Sequence, residues 1–245
     1  MSEDKKLKFY ETWTFIIIVC VILPILFRTF IYSPRHIPSS SMKPTLLIGD
    51  YIFISKFSYG YSKFDLPFGY AIDYFDGRIF DKEPKRGDII VFRPSTQPDT
   101  DYIKRLVGLP GDIIQMKDGK LIINGETLPI KRVEDFYDEK EGGLVSQIKQ
   151  YQETLPNGVT YYILDEIDGG PADNTDFFVV PEGKYFFMGD NRDNSADSRI
   201  AIGFVPKENL IGRAEVVFFS NEAPLIKLWE WIVSFRENRF WKRLG

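Results

Sequence analysis

The sequence predicts a mostly β protein: an antiparallel β-sheet domain that carries a smaller inserted β subdomain and follows one N-terminal transmembrane helix. Three observations predict it. An apolar run occupies Trp13 to Tyr32, short β-rich segments separated by turn residues fill the chain after Pro38, and a polar, acidic tract from about Lys131 to Asp176 interrupts them. The expected organisation is a tail over residues 1–12, an anchor over 13–32, a main β domain from 33–112 and 182–222, an insert over 113–181, and an amphipathic segment over 223–245.

The apolar run is broken near its end by Arg28 and Thr29 and has about the 20 residues needed to span a bilayer. Arg28 can snorkel to the headgroups, and Trp13 and Tyr32 sit where interfacial aromatics are enriched. A cleaved secretory signal would be followed by small residues, whereas Tyr32, Ser33, Pro34, Arg35 and His36 follow here. Charge does not orient the span, because Lys5, Lys6 and Lys8 precede it while Arg28, Arg35 and Lys43 lie at or beyond its end.

After Pro38, strands are expected at Tyr51 to Lys56, Asp88 to Phe92, Tyr102 to Val107, Ile113 to Met116 and Leu121 to Ile123. Asp118-Gly119 and Asn124-Gly125 are hairpin turns, since both residue types tolerate positive φ. In the polar tract, Gly142-Gly143, Pro156-Asn157-Gly158 and Gly169-Gly170-Pro171 mark loops around one expected strand, Thr160 to Leu164. Strand patterns return at Phe177 to Val180, Lys184 to Met188 and Arg213 to Phe219. Leu225, Leu228, Trp229, Trp231, Ile232 and Phe235, with Lys227, Arg236, Arg239, Lys242 and Arg243 between and after them, read as a basic amphipathic helix. It could lie on a membrane or on the domain.

Composition narrows the chemistry. A net charge of -4 over 245 residues argues against a general nucleic-acid binder. One cysteine, Cys20, and one histidine, His36, exclude an internal disulfide and disfavour a zinc cluster. The acidic run Asp190 to Asp197 lacks the glycine and glutamate of a helix-loop-helix calcium site, so no metal and no cofactor are expected.

Pro38-Ser39-Ser40-Ser41-Met42-Lys43-Pro44 is, alone, a serine-rich loop. A hydroxyl becomes a nucleophile only beside a base. His36 lies five residues before Ser41, where an isolated histidine reads as a surface or interfacial residue. Lys104 lies in a strand whose alternation turns Tyr102, Lys104 and Leu106 to one face. Burial there would push the amine from about 10.4 toward roughly 7 to 8, the range of a general base. The competing reading is a snorkelling or salt-bridged edge-strand lysine.

Pro38 to Leu46, Arg86 to Phe92, Asp101 to Asp112 and Gly189 to Arg199 resemble, in order, the successive sequence boxes of bacterial type I signal peptidases. The resemblance runs from the apolar run to about Phe219. It implies a membrane-bound serine endopeptidase with a serine-lysine dyad, Ser41 as nucleophile and Lys104 as base. It also implies that Ser39 joins the Ser41 backbone N–H in an oxyanion hole, that Ser195 orients the Lys104 amine, and that Asp197 and Arg199 form a supporting ion pair. The implied substrates are signal peptides of exported preproteins, cut after small residues held by Ile37, Pro38, Met42, Leu46, Tyr102, Ile103 and Met188. All seven are equally plausible as core residues. The sequence shows one span, unlike family members with two, and the family architecture implies its orientation in the bacterial cytoplasmic membrane, with the amino terminus cytoplasmic, the β domain outside and lipid as a partner. Two rivals differ from it: a self-cleaving repressor-type serine-lysine protease would carry a DNA-binding region in place of the span, and an inactive peptide-binding domain would not need Ser39, Ser41, Lys104 and Ser195.

Overall fold

A computed structural model describes residues 13–66, 75–139, 144–221 and 234–244. Helix α1, Trp13–Phe30, is 18 residues long, about 27 Å at the α-helical rise. Its apolar side chains stand exposed along its length, Leu23 at 62% and Ile17 at 59%. Among the described residues no helix is long and apolar enough to cross a membrane. The helix ends two residues short of the expected span. Tyr32 instead opens a strand, where its ring meets Phe53 and Phe57.

Sixteen strands follow among the described residues. They begin with β1 (Tyr32–His36), β2 (Asp50–Ser55), β3 (Ile89–Phe92) and β4 (Tyr102–Gly108). Next come β5 (Ile113–Lys117), β6 (Lys120–Ile123), β7 (Glu126–Thr127), β8 (Ile130–Arg132) and β9 (Phe136–Glu139). Then come β10 (Val145–Thr154), β11 (Thr160–Asp165), β12 (Phe178–Val179) and β13 (Lys184–Met188). The last are β14 (Val205–Pro206), β15 (Leu210–Ser220) and β16 (Lys242–Arg243).

They form three sheets. The largest runs β1-β2-β15-β3-β4-β13-β14, with β16 on β15; the other two are β11-β10-β8 with β9 on β10, and β12-β5-β6-β7. Among the described residues these strands all pair antiparallel. Strands β5 to β12 supply the two small sheets and the flanking chain supplies the large one. One apolar core joins them: Val107, Phe186 and Met188 of the large sheet pack with Ile114, Leu121, Tyr161 and Ile163 of the small ones.

The two hairpin turns have positive φ at both residues, Asp118 at 48° and Gly119 at 70°, then Asn124 at 53° and Gly125 at 83°. That is the backbone a two-residue turn needs to match strand twist. The polar tract is richer in strands than its composition suggests. Besides Thr160–Asp165 it contains the ten-residue β10, whose side chains are mostly half-buried. Its polar residues hid it, because β10 is stabilised by pairing with three strands and by a buried carboxylate, Glu153.

The carboxy-terminal helix is corrected where it can be seen. Residues 222–233, including Leu225, Lys227, Leu228, Trp229, Trp231 and Ile232, lie outside the described residues. Beyond them, Glu237–Arg239 form a single 3-10 turn and Lys242–Arg243 are a strand. Arg239 is not on a solvated helix face; it is buried against Asp50, with Nε donating to Oδ1 at 2.8 Å. A desolvated guanidinium needs that carboxylate, and meeting it bends the chain onto the large sheet.

Candidate active site

The loop 37–49 carries Ser41 and is closed by the strands either side of it. Ile37 N–H donates to the Asp50 carbonyl at 2.8 Å and Gly49 N–H to that of Ile37 at 3.0 Å. Within the loop, Met42 and Leu46 are fully buried and pack with Ile52, Ile54, Ile89, Val91 and Ile211. Those two anchors hold the serines at the surface of a core.

Lys104, in the middle of β4, is 3% exposed and Ser41 is 7% exposed. The Lys104 Nζ donates to Ser41 Oγ at 2.6 Å and to the Ile103 carbonyl at 3.0 Å. Burial brings the amine down to about 8, against the opposing pull of the Asp197 and Asp190 carboxylates. Desolvation wins because neither carboxylate touches the amine, and an ammonium in apolar surroundings lacks its hydration. The arrangement is chemically that of an activated hydroxyl: a poor nucleophile in hydrogen-bond reach of a base that is neutral near pH 8.

Ser39 Oγ lies 3.3 Å from Ser41 Oγ. Asp197 is buried and receives Arg199 Nε at 3.0 Å, Arg199 Nη2 at 2.8 Å and the Gly189 amide at 3.0 Å. Burial would raise its pKa, but the Arg199 guanidinium and the Gly189 and Arg199 amides outweigh it and hold the carboxyl below the usual range. Ser195 lies beside Gly189. Its hydroxyl is buried without a hydrogen-bond partner. An added Cβ on Gly189 would come within 2.2 Å of Ser195 Oγ and 2.5 Å of the Ser41 carbonyl oxygen.

The segment 190–192 grips the Ser41 loop. Asn191 N–H donates to the Ser41 carbonyl at 3.2 Å, Asp190 accepts both Arg105 Nε at 2.8 Å and Arg105 Nη2 at 2.7 Å, and Thr45 Oγ1 donates to the same carboxylate. On its other side Leu164 N–H donates to Asp190 and Arg192 N–H to Leu164, so β11 backs this loop. Arg192 forms a buried ion pair with Glu153 of β10, which also accepts the Tyr161 hydroxyl. None of Arg105, Asp190, Arg192 or Glu153 was singled out in the sequence. Three belong to the matched boxes, whereas nothing near Glu153 distinguishes it from other acidic residues of the tract.

A cleft of about 540 Å³ opens beside Ser41 and Lys104. Ile37, Pro38, Tyr102 and Ile103 line it, with Arg35, Asp101 and Asn194. Met42, Leu46 and Met188 do not; they are buried in the cores. His36 lines the cleft but its ring packs on Tyr51, with centroids 4.9 Å apart. Away from the cleft, Asp165, Asp173 and Asp193 bring three carboxylate oxygens within 4.8 Å of one another.

The chain is similar to known proteins along most of its length. The family model described as "Signal peptidase, peptidase S26" matches residues 10–219. Signal peptidase I of Rickettsia canadensis (strain McKiel) is 46% identical over 99% of this chain and 96% of its own length. That of Rickettsia akari (strain Hartford) is 44% identical over the same shares. A solved signal peptidase I from Enterococcus faecalis V583 is 33% identical, covering 54% of this chain and 97% of its own, at a TM-score of 0.32. A family match over most of the chain, with relatives alike along nearly their whole length, makes this protein a member of the signal peptidase family, peptidase S26, and a serine endopeptidase.

Proposed function

We propose that this protein removes N-terminal signal peptides from exported preproteins, cutting after small residues through a Ser41–Lys104 dyad. The observation that carries this reading is the 2.6 Å contact between a buried lysine and a buried serine at the head of a cleft. Ser41 Oγ attacks the scissile carbonyl as Lys104 takes its proton. The oxyanion is held by the Ser41 amide and the Ser39 hydroxyl. Lys104 then protonates the leaving amine, and a water activated by the same amine hydrolyses the acyl-enzyme. Asp197 and Arg199 brace the loop that carries Ser195, whose hydroxyl orients the amine as the site fills.

The substrate lies extended in the cleft, where main-chain pairing tolerates many sequences. Ile37, Pro38, Tyr102 and Ile103 contact its side chains, while Met42, Leu46 and Met188 shape the pockets from behind. The exposed apolar faces of α1 support a single-pass anchor in the bacterial cytoplasmic membrane, with the amino terminus cytoplasmic and the β domain outside. Tethering enzyme and substrate to one bilayer raises their effective concentration.

The test is cleavage of a preprotein with an Ala-x-Ala site by the full chain in detergent. Wild type and His36→Ala should cut, and Ser41→Ala and Lys104→Ala should not. Dependence on His36 would overturn the base assignment. Release of the protein from membranes by alkaline carbonate would overturn the anchor.

A further inference from the structure

The Ser41 N–H belongs to the peptide group that joins Ser40 to Ser41. That group is planar and trans, so the N–H points opposite to the Ser40 carbonyl, and whatever fixes Ser40 also aims the N–H. Among the described residues no group accepts the Ser41 N–H. The Ser40 carbonyl, by contrast, accepts the Lys43 amide at 3.0 Å and Asn191 Nδ2 at 3.4 Å. Those two bonds set the mean direction of the plane, but they grip one atom of it, and the plane can still rock about the soft dihedrals on either side.

Asn194 supplies a second point of attachment. Its Nδ2 donates to Ser40 Oγ at 2.9 Å, shorter than the bond from Asn191. The segment that offers Asn194 is itself held on both sides. Asp193 Oδ2 accepts the Glu166 and Ile167 amides at 2.7 and 2.9 Å, and Ser195 is buried beside Gly189. Ser40 is half-buried and Asn194 is exposed, and both line the cleft next to Ser41. The bond therefore ties the Ser41 loop to the 190–195 segment at the surface of the cleft, where solvent-exposed backbone is otherwise least restrained.

We propose that Asn194 is a positioning residue: through its hydrogen bond to Ser40 it holds the Ser40–Ser41 peptide group so that the Ser41 N–H points at the developing oxyanion. The proposal rests on the reading of the Ser41 amide and the Ser39 hydroxyl as the oxyanion site. A donor of that kind stabilises the transition state only when it is oriented beforehand. A tilted N–H weakens the bond to the oxyanion more than it weakens substrate binding, so the loss falls on kcat and spares KM.

The experiment measures kcat and KM of the full chain in detergent on an Ala-x-Ala peptide, across a range of pH, for wild type, Ser39→Ala, Asn194→Ala, Ser40→Ala and Ser40→Ala combined with Asn194→Ala. Each single change at Asn194 or Ser40 should lower kcat about five- to twentyfold with KM within about twofold, a smaller loss than the roughly 10²–10³-fold seen when an oxyanion donor is removed outright. Both delete the same bond, so the combined variant should be no slower than the slower single one. The midpoint of the pH–rate profile should stay where wild type has it, because the Lys104 base is unchanged. A wild-type kcat in Asn194→Ala, a change in KM alone, losses that multiply in the combined variant, or a displaced pH midpoint each overturn the proposal, and with Ser39→Ala still slow they leave the oxyanion reading standing. Ser39→Ala at the full wild-type rate overturns that reading as well.

Discussion

The backbone amide of Asn191 donates to the carbonyl of Ser41 at 3.2 Å, so Ser41 is positioned by a loop 150 residues further along the chain. That loop is in turn backed by β10 and β11 through the Arg192–Glu153 ion pair. Glu153 is 1% exposed. Replacing it with alanine leaves a buried guanidinium unpaired, a change that costs about 3–5 kcal/mol. Urea unfolding should show this loss for Glu153→Ala. Glu153→Gln, which keeps an acceptor for Arg192, should lose less.

Gly189→Ala should abolish cleavage without unfolding the protein. The added Cβ meets Ser195 Oγ and the Ser41 carbonyl oxygen well inside contact distance. Relief must displace one of them, and a shift of about 1 Å at a reacting group can cost about 10²-fold in rate. Single-turnover kinetics should therefore fall at least that far while the circular dichroism spectrum is unchanged.

The rate should rise with pH through about 8, the value to which burial brings Lys104. Below that value the amine is protonated and cannot accept from Ser41, so kcat/KM should fall about tenfold per pH unit. Stability follows the same group. The unfolded lysine holds its proton up to about 10.4 and the folded one releases it near 8, so the unfolded state binds more protons between these values. Stability therefore rises with pH across that window, and the full burial cost, about 3 kcal/mol, is present below it. Lys104→Met should be inactive yet more stable than wild type at pH 7, by calorimetry.

Arg239→Ala should destabilise the large sheet although it lies near the end of the chain. Asp50 is fully buried, and besides Arg239 it accepts the Leu47 amide at 2.8 Å. Without the guanidinium its charge is stranded at the mouth of the Ser41 loop. A loss of about 3 kcal/mol is expected by urea unfolding, with a rise in KM because that loop forms one wall of the cleft.

The sequence by itself determined the elements whose stability is local. Positive-φ turns at Asp118-Gly119 and Asn124-Gly125 are properties of two adjacent residues, and the alternation of Tyr102, Lys104 and Leu106 is a property of one strand. The boxes around Ser41, Lys104 and Gly189 to Arg199 were legible through their resemblance to the signal peptidase family. Only the tertiary structure decided what depends on distant partners. β10 is polar and is held by neighbours on both edges. Ser195 is packed against Gly189. Met42, Leu46 and Met188 serve as core, and Arg239 turns inward to Asp50 instead of lying along a helix. Each outcome is set by which buried group must be paired or which void must be filled, and those requirements exist only once strands far apart in sequence have met.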